Sequence, residues 1–337
     1  IIMATYKESI GTAVTNVAGD PPAPLEGQVW YNSSTGVFRV YRQDAAGAWA
    51  TGGNLNSGRY YLSAATYGTQ TAGLVFGGAT DGTRTEAYNG SNWTEVNDLD
   101  KNKREAAGAG TQTSALCFGG KNPANDNGMD QTEKWNGTNW TEVNTLGQQR
   151  LGLQGAGASS TAALAFGGKA EPPSSAPSWR AETESYNGTN WTEVNNLNTA
   201  RYHGAGAGTQ TSALLFGGQS SADFSSATEL WNGTNWTEVN DLSENKVVGA
   251  GCGASNTSAL AFGGQPPAQA GRTESWNGSN WTTVGSLNVP RRNLTGAGTK
   301  TAALAVGGEP PGGPPDSPTS TEEFNSPALV TQTLTTS

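Results

Sequence analysis

The sequence predicts an all-β protein, a six-bladed β-propeller preceded by a small N-terminal β module. Two internal repeats and one compositional bias carry that prediction. The first repeat is a glycine doublet behind a bulky apolar residue: Phe76-Gly77-Gly78, Phe118-Gly119-Gly120, Phe166-Gly167-Gly168, Phe216-Gly217-Gly218, Phe262-Gly263-Gly264 and Val306-Gly307-Gly308, at steps of 42, 48, 50, 46 and 44 residues. The second is a block behind each of the first five doublets: YNGSNWTEVNDL from Tyr88, WNGTNWTEVNTL from Trp135, YNGTNWTEVNNL from Tyr186, WNGTNWTEVNDL from Trp231 and WNGSNWTTVGSL from Trp276. The sixth copy is degenerate, Phe324-Asn325 and then ALVTQTLTT. With 47 glycines in 337 residues and only 14% charged residues, the composition excludes an ordinary helical protein. The 11 Trp, 9 Tyr and 8 Phe supply the buried mass that a disordered chain lacks.

Taken in order, residues 1–53 differ from the rest. Gly19 to Leu25 holds three prolines and reads as a linker. GQVWYN, GVFRVYR and AWATGG read as a three-stranded meander with a turn at Ser33 to Gly36. From residue 54 onward each repeat reads as four short strands. In the second repeat these are Gly108 to Gly110, Ser114 to Gly120, Thr132 to Trp135 and Asn139 to Val143. Both faces of the second strand are apolar, which predicts burial on both sides. Asn-Gly between the third and fourth is a hairpin signal, because both residues tolerate positive φ. Four antiparallel strands per repeat make one propeller blade. Val37 to Arg59 resembles the tail of a repeat (GGNLNSGRY against EVNNLNTARY), so seven blades stay open as the alternative, although no Gly-Gly strand precedes it. The expected division is a docking module, 1–53, and a propeller, 54–337, so that deleting 1–53 leaves the propeller folded.

Charge and rare residues exclude several functions. Acids outnumber bases 28 to 19, the wrong sign for a nucleic-acid binder or for an anionic membrane surface. No apolar run approaches the roughly 18 residues of a membrane span, and no basic segment followed by an apolar core marks a signal peptide. One histidine, His203, and two cysteines, Cys117 and Cys252, are too few for a His/Cys metal cluster or a disulfide framework. The expectation is no metal, no cofactor and no enzyme. His203, behind Arg201 and Tyr202, reads as a surface loop residue.

A loop arginine, a hydrophobic strand ending in Gly-Gly, an aromatic and then a Trp recur in that order over residues 54–335. This pattern resembles the kelch repeat and implies a kelch-type propeller. The loop arginines are Arg59, Arg104, Arg150, Arg201 and Arg291, with Lys246 in the fifth repeat. Glu86, Glu133, Glu184, Glu229, Glu274 and Glu322 recur before the third-strand aromatic and are expected to accept from those arginines, in their own or a neighbouring blade. The copper oxidase related to kelch propellers needs two His and two Tyr, more histidines than this chain has. Sialidase-type sites need three clustered arginines, whereas these lie on separate blades, and nothing singles out the acid–base pair of a kelch-type sialic-acid isomerase.

The Asn-Gly turns and Gly-Thr-Gln-Thr connections hardly change between repeats, so the N-x-[ST] strings, at Asn136 and Asn139 for instance, read as turn formers. The connections after Gly-Gly change in length and chemistry. In a four-stranded meander these lie on one propeller face, so one face is constant and the other diversified, and diversified loops on a rigid scaffold are where binding sits. The candidate ligand-binding residues there are Trp179, Arg180, Met129 and Phe224, read as exposed, together with Arg84 and Arg272; Pro172, Pro173 and Pro177 stiffen the loop before Trp179. Met3-Ala4-Thr5-Tyr6-Lys7 and GQVWYN at 27–32 are similar to the start of structural proteins of marine tailed bacteriophages, in which such a module precedes a kelch-like array. That resemblance implies a virion protein: a tail fibre, tail appendage or capsid decoration. It would be made in the host cytoplasm, released by lysis and present in multiple copies. It would join other virion proteins through the module and recognise a host-surface glycan or protein through the propeller. The alternative is a bacterial kelch-type lectin or protein-interaction module. An intracellular kelch adaptor lacks its accompanying BTB-like helical domain here.

Overall fold

Six four-stranded antiparallel sheets occupy residues 48–325, and a seventh sheet of different topology belongs to a second unit, 1–47 with 326–337. The computed structural model describes residues 14–21, 28–43, 47–170, 178–221, 223–247, 249–266, 268, 270–312, 319–326 and 329–334. The string Met3–Lys7, most of the proline linker, and Pro172, Pro173 and Pro177 lie outside them. Among the described residues there are no α-helices.

The second blade shows the common pattern: Ala107–Thr111, Ser114–Phe118, Thr132–Trp135 and Trp140–Val143, each hydrogen-bonded to the next. Asn136 Oδ1 accepts from the backbone N–H groups of Thr138 and Asn139 at 2.9 Å, which fixes the Asn-Gly turn. Each Gly-Gly doublet has positive φ at both residues, for instance +64° at Gly119 and +102° at Gly120. The carbonyl of Arg150, from the next blade, lies 2.9 Å from where a Gly119 Cβ would sit and accepts from Gly120 N–H at 2.8 Å. Backbone conformation and interblade approach therefore both demand glycine there.

Blades are held by six apolar layers, one between each neighbouring pair. Leu116 and Phe118 enter the layer between the second and third blades, as the alternation predicts, and the doublet Phe packs on the outer-strand Trp of the next blade: Phe118 on Trp191 at 4.9 Å, Phe166 on Trp236 at 5.0 Å. Each of those indoles also donates Nε1–H backwards. Trp140 donates to Thr85, Trp191 to Thr132, Trp236 to Thr183 and Trp281 to Thr228, all at 3.0 Å. Trp93 of the first blade donates to Thr321 of the sixth at 2.9 Å, and Leu304 and Val306 share a core with Leu62, Val75 and Trp93. The succession of contacts thus returns to the first blade.

The sixth blade corrects the expected boundary. Its strands are Thr295–Gly298, Ala302–Val306, Thr321–Asn325 and, outermost, Ala48–Thr51. AWATGG is therefore no part of an N-terminal meander. The reason is Trp49: it lies opposite Phe324, packs on Phe262 at 4.9 Å and donates to Thr273 at 2.9 Å, supplying the indole that the sixth repeat lacks. The segment ALVTQTLTT, read as the degenerate end of that repeat, instead contributes Leu329–Thr333 to the other unit, antiparallel to Val37–Gln43. In that sheet Val29–Asn32 pairs antiparallel with 37–40, and Thr15–Val17 pairs parallel with Val29–Asn32. Its order is mixed, unlike a blade meander.

The repeated cation and glutamate pair within their own blade. Arg59–Glu86, Arg150–Glu184, Arg201–Glu229 and Arg291–Glu322 lie at 2.7, 2.7, 2.8 and 3.2 Å, essentially without solvent contact. The second oxygen of Glu229 accepts from the backbone N–H of Asn198 at 2.7 Å, tying the interblade loop down. In the second blade the structure overturns the assignment of Arg104: Lys103 is the buried cation, 3.1 Å from Glu133, and Arg104 stands one residue outward, paired with exposed Asp126 at 2.8 Å. Adjacent Lys-Arg left the register ambiguous, and the buried slot takes the residue four before the first strand.

Lys246 fits its slot less well. Its Nζ donates to the Arg272 carbonyl at 3.0 Å, while Glu274 Oε1 is buried without a hydrogen-bond partner. Burial pushes the ammonium down to about 8, against the pull of Glu274. An unfolded lysine titrates near ~10.4, so from about pH 8 upward the unfolded chain holds more protons, and stability from this site rises with pH across that window. Lys246→Arg is expected to give Glu274 its missing donor and to stabilise by about 1.5–3 kcal/mol near pH 7, with the advantage shrinking above pH ~8. Urea titrations of both proteins at a series of pH values check this; a difference that does not change with pH contradicts it.

Candidate functional site at the axial mouth

Two residues beyond five of the buried cations the chain lines the axial mouth; the sixth such position, 248, lies outside the described residues. The residues there are Tyr61, Glu105, Gly152, His203 and Asn293, all left-handed, with φ between 53° and 59°. Their backbones are joined around the axis: Tyr61 N–H donates to the Asn293 carbonyl, Glu105 to Tyr61, Gly152 to Glu105 and His203 to Gly152, at 2.8, 3.0, 2.9 and 2.8 Å. A left-handed conformation is unfavourable for all but glycine, by about 1 kcal/mol or more, and persists where surrounding contacts dictate it. In these five blades the backbone at this position repeats while the side chains do not, so one mouth presents a different group on each of them.

Those side chains engage one another. A Cβ on Gly152 would lie 2.5 Å from His203 Cδ2, so the glycine of the third blade leaves room for the histidine of the fourth to cross it. His203 Nε2 then lies 3.0 Å from Glu105 Oε2 on the second blade, and Tyr61 of the first blade stacks on the imidazole at 5.7 Å. Burial works to raise the Glu105 carboxyl, but the His203 hydrogen bond and the nearby positive charges outweigh it and hold the group below its ordinary value. Burial beside Glu105 and Glu309 pushes the Tyr61 phenol up to about 12. Opposite, Glu309 accepts from Asn293 Nδ2 at 2.7 Å and from Arg292 Nε at 2.9 Å, while Asn293 Oδ1 is buried with no partner.

The space along the axis is small. The mouth encloses about 60 Å³, and a second cavity between the innermost strands about 80 Å³. Small-molecule pockets run to roughly 300–1,000 Å³, so a ligand larger than a few waters must lie across this face. A line of rings leads outward from the mouth. Tyr60 lies 5.4 Å from Tyr61, His203 stacks on Tyr202 at 4.4 Å, and Trp179 meets Tyr202 edge-on at 6.4 Å. Trp179 is held by a short hairpin, Lys169–Ala170 with Ser178–Trp179, and Lys169 Nζ stands 5.4 Å from the centre of the Tyr202 ring.

Of the sequence candidates, Trp179 belongs to this line. Arg180 pairs with Glu182 at 3.0 Å, Arg84 with Asp81 and Glu95 at 2.9 and 2.8 Å, and Arg272 with Glu244 at 2.6 Å. Phe224 is half-buried and bridges to Gln219. Met129 is not exposed: it is 7% accessible, and its backbone bonds both Gly120 and Arg150. His203, read as an unremarkable surface residue, sits half-buried at the mouth, and Tyr61, Glu105, Tyr202 and Asn293 were passed over. The available signal was positional: two residues after the loop cation the six repeats carry Tyr61, Glu105, Gly152, His203, Val248 and Asn293, six different residue types at one repeat position.

No protein-family model matches the chain, and no curated protein matches it. Among solved structures the fold is similar to that of YjhT, over 80% of this chain and 95% of that one, with a TM-score of 0.64 and 13% identity. At that identity the likeness concerns the fold, and the architecture is that of a β-propeller.

Proposed function

We propose that this protein is a binding component of a phage virion, whose diversified propeller face recognises a host-surface glycan and whose smaller unit joins the particle. The observation that carries the binding role is the line of rings from Trp179 to Tyr60 across an otherwise repetitive scaffold. Aromatic faces suit sugar rings because their apolar C–H faces stack while hydroxyls stay hydrated, and large rigid side chains lose little entropy on binding. The virion assignment is supported by the N-terminal strings and by a β fold whose two cysteines are free and buried rather than paired. The role is read as non-catalytic, because the titratable groups at the mouth are satisfied by one another above cavities too small for a sugar.

Trp179→Ala and Tyr202→Ala are each expected to weaken adsorption to host cells roughly tenfold or more while leaving the melting temperature within a few degrees, as for aromatic hot spots. Replacing Asn187-Gly188 on the opposite face is expected to lower stability and leave adsorption intact. Immunogold labelling of purified particles tests the location. Normal adsorption by both aromatic variants would remove the recognition role from this face, and unlabelled particles would remove the virion assignment.

A further inference from the structure

We infer that the axial mouth is a subsite for the hydroxymethyl arm of a sugar whose ring lies on the aromatic line; the inference rests on the glycan-binding reading above and names the group that the ligand inserts. The mouth cavity, about 60 Å³, is bordered by Tyr61, Glu105, Gly152, His203 and Asn293. At a water's share of roughly 30 Å³ it takes about two heavy atoms, an arm rather than a ring. Tyr61 and His203 also belong to the line of rings, so a sugar stacked on them sits over the opening.

The wall of this cavity calls for a donor. Asn293 is 5% exposed, and its Nδ2 donates to Glu309 Oε1 at 2.7 Å, which fixes the orientation of the amide. Its Oδ1 is buried and has no hydrogen-bond partner among the described residues. Val248, the mouth position outside them, is a residue without a side-chain donor. On the other side, Glu105 engages His203 through Oε2, and Arg104 Nε stands 3.8 Å from its Oε1, too far for a hydrogen bond. An amide oxygen and a carboxylate oxygen accept and do not donate, so the entering group has to bring the hydrogen. Charge decides which donor. Each carboxylate already has a guanidinium within 4 Å, Arg104 at Glu105 and Arg292 at Glu309, the latter at 2.9 Å. An ammonium would meet Arg104 beside one acceptor and Arg292 beside the other, whereas a hydroxyl avoids both. A sugar lacking that hydroxyl covers the two oxygens and leaves them unpaired, the condition under which sites reject an analogue most strongly.

Two sugar pairs that differ at this arm alone test the subsite: methyl β-galactopyranoside against its 6-deoxy form, which keeps the carbon and loses the hydroxyl, and cellohexaose against xylohexaose, which loses both. His203, the sole histidine, gives one imidazole Cε1–H resonance and reports on the mouth directly. The hydroxyl-bearing member of at least one pair is expected to bind roughly tenfold more tightly and to shift that resonance. Asn293→Gly removes the acceptor at a backbone of φ +54°, a conformation that glycine already holds at the equivalent Gly152. It should cut the preference to less than about threefold and leave binding of the 6-deoxy and xylose members unchanged. Tyr202→Ala loses a stacking ring and keeps the acceptor, so it should weaken both members of a pair alike. Near-UV circular dichroism that superposes on that of the parent confirms that Asn293→Gly is folded.

Equal binding within both pairs would overturn the hydroxymethyl subsite and leave glycan recognition standing. A preference that survives Asn293→Gly, or that leaves His203 unmoved, would overturn its placement at the mouth. Tighter binding of the 6-amino-6-deoxy galactoside than of its hydroxyl parent would overturn the neutral arm in favour of a cation. Failure of every sugar to bind would count against the glycan reading as well.

Discussion

Deletion of residues 1–53 is expected to open the propeller. The deletion takes Ala48–Thr51, the outer strand of the sixth blade, and with it Trp49, which is 5% exposed between Phe262 and Phe324. Emptying a buried Trp site costs about 3–5 kcal/mol by itself. The loss of a strand's hydrogen bonds and the exposure of a new sheet edge at Thr321–Asn325 add to that. Domains are stable by only about 5–15 kcal/mol, so the truncated chain is expected to lose cooperative unfolding and to aggregate. The fragment 48–325 keeps all six blades and is expected to fold, and Trp49→Ala should fall between the two. Near-UV circular dichroism and urea titration separate these cases. A truncated chain that unfolds cooperatively within about 1 kcal/mol of the full protein would show that the sixth blade does without its outer strand.

Arg201→Ala should destabilise by about 3–5 kcal/mol, because it leaves the carboxylate of Glu229 buried and uncompensated. The guanidinium donates to Glu229 at 2.8 Å and to the Gly217 carbonyl at 3.2 Å, and both residues of the ion pair are nearly inaccessible. Burial lowers the affinity of Arg201 for its proton, and Glu229 opposes that shift, so the pair stands or falls together. The apolar double replacement Arg201→Met with Glu229→Leu is expected to recover part of the loss, since the cost lies in orphaning one charge. Arg180→Ala serves as the contrast: its pair with Glu182 is solvated, 29% and 24% exposed, and such pairs contribute about 0–1 kcal/mol. Chemical denaturation of the variants reads all of this, and equal losses for Arg201→Ala and Arg180→Ala would refute the argument.

The repeats made the blades legible. The Phe-Gly-Gly and Trp-Thr-Glu-Val strings each mark an interblade contact that recurs unchanged, so periodicity in sequence maps onto periodicity in space. What was hidden depends on partners remote in sequence. Trp49 and Phe324 are neighbours in one sheet, yet no local pattern pairs them, and an N-terminal strand looks like module until the sixth repeat is seen to lack its indole. The mouth was hidden for the opposite reason. Tyr61, Glu105, His203 and Asn293 share a backbone position but no chemistry, and a search for repetition passes over positions that do not repeat. Arg104 shows the limit of motif register: two adjacent cations satisfy the pattern, and only burial distinguishes them.

The chain crosses between its two units twice. It leaves the smaller unit after Val37–Gln43, enters the sixth blade at Ala48–Thr51, circles the propeller, and returns from Thr321–Asn325 to Leu329–Thr333. On each side of the crossing the outgoing and returning segments are hydrogen-bonded to each other. A tensile load between the two units would therefore be carried by two covalent tethers rather than one. A single backbone cut in 44–47 or in 326–328 would not separate the units, because the other tether and two strand pairings would remain. The second crossing works as a redundant fastening between the two units, made from the same strand exchange that completes the sixth blade.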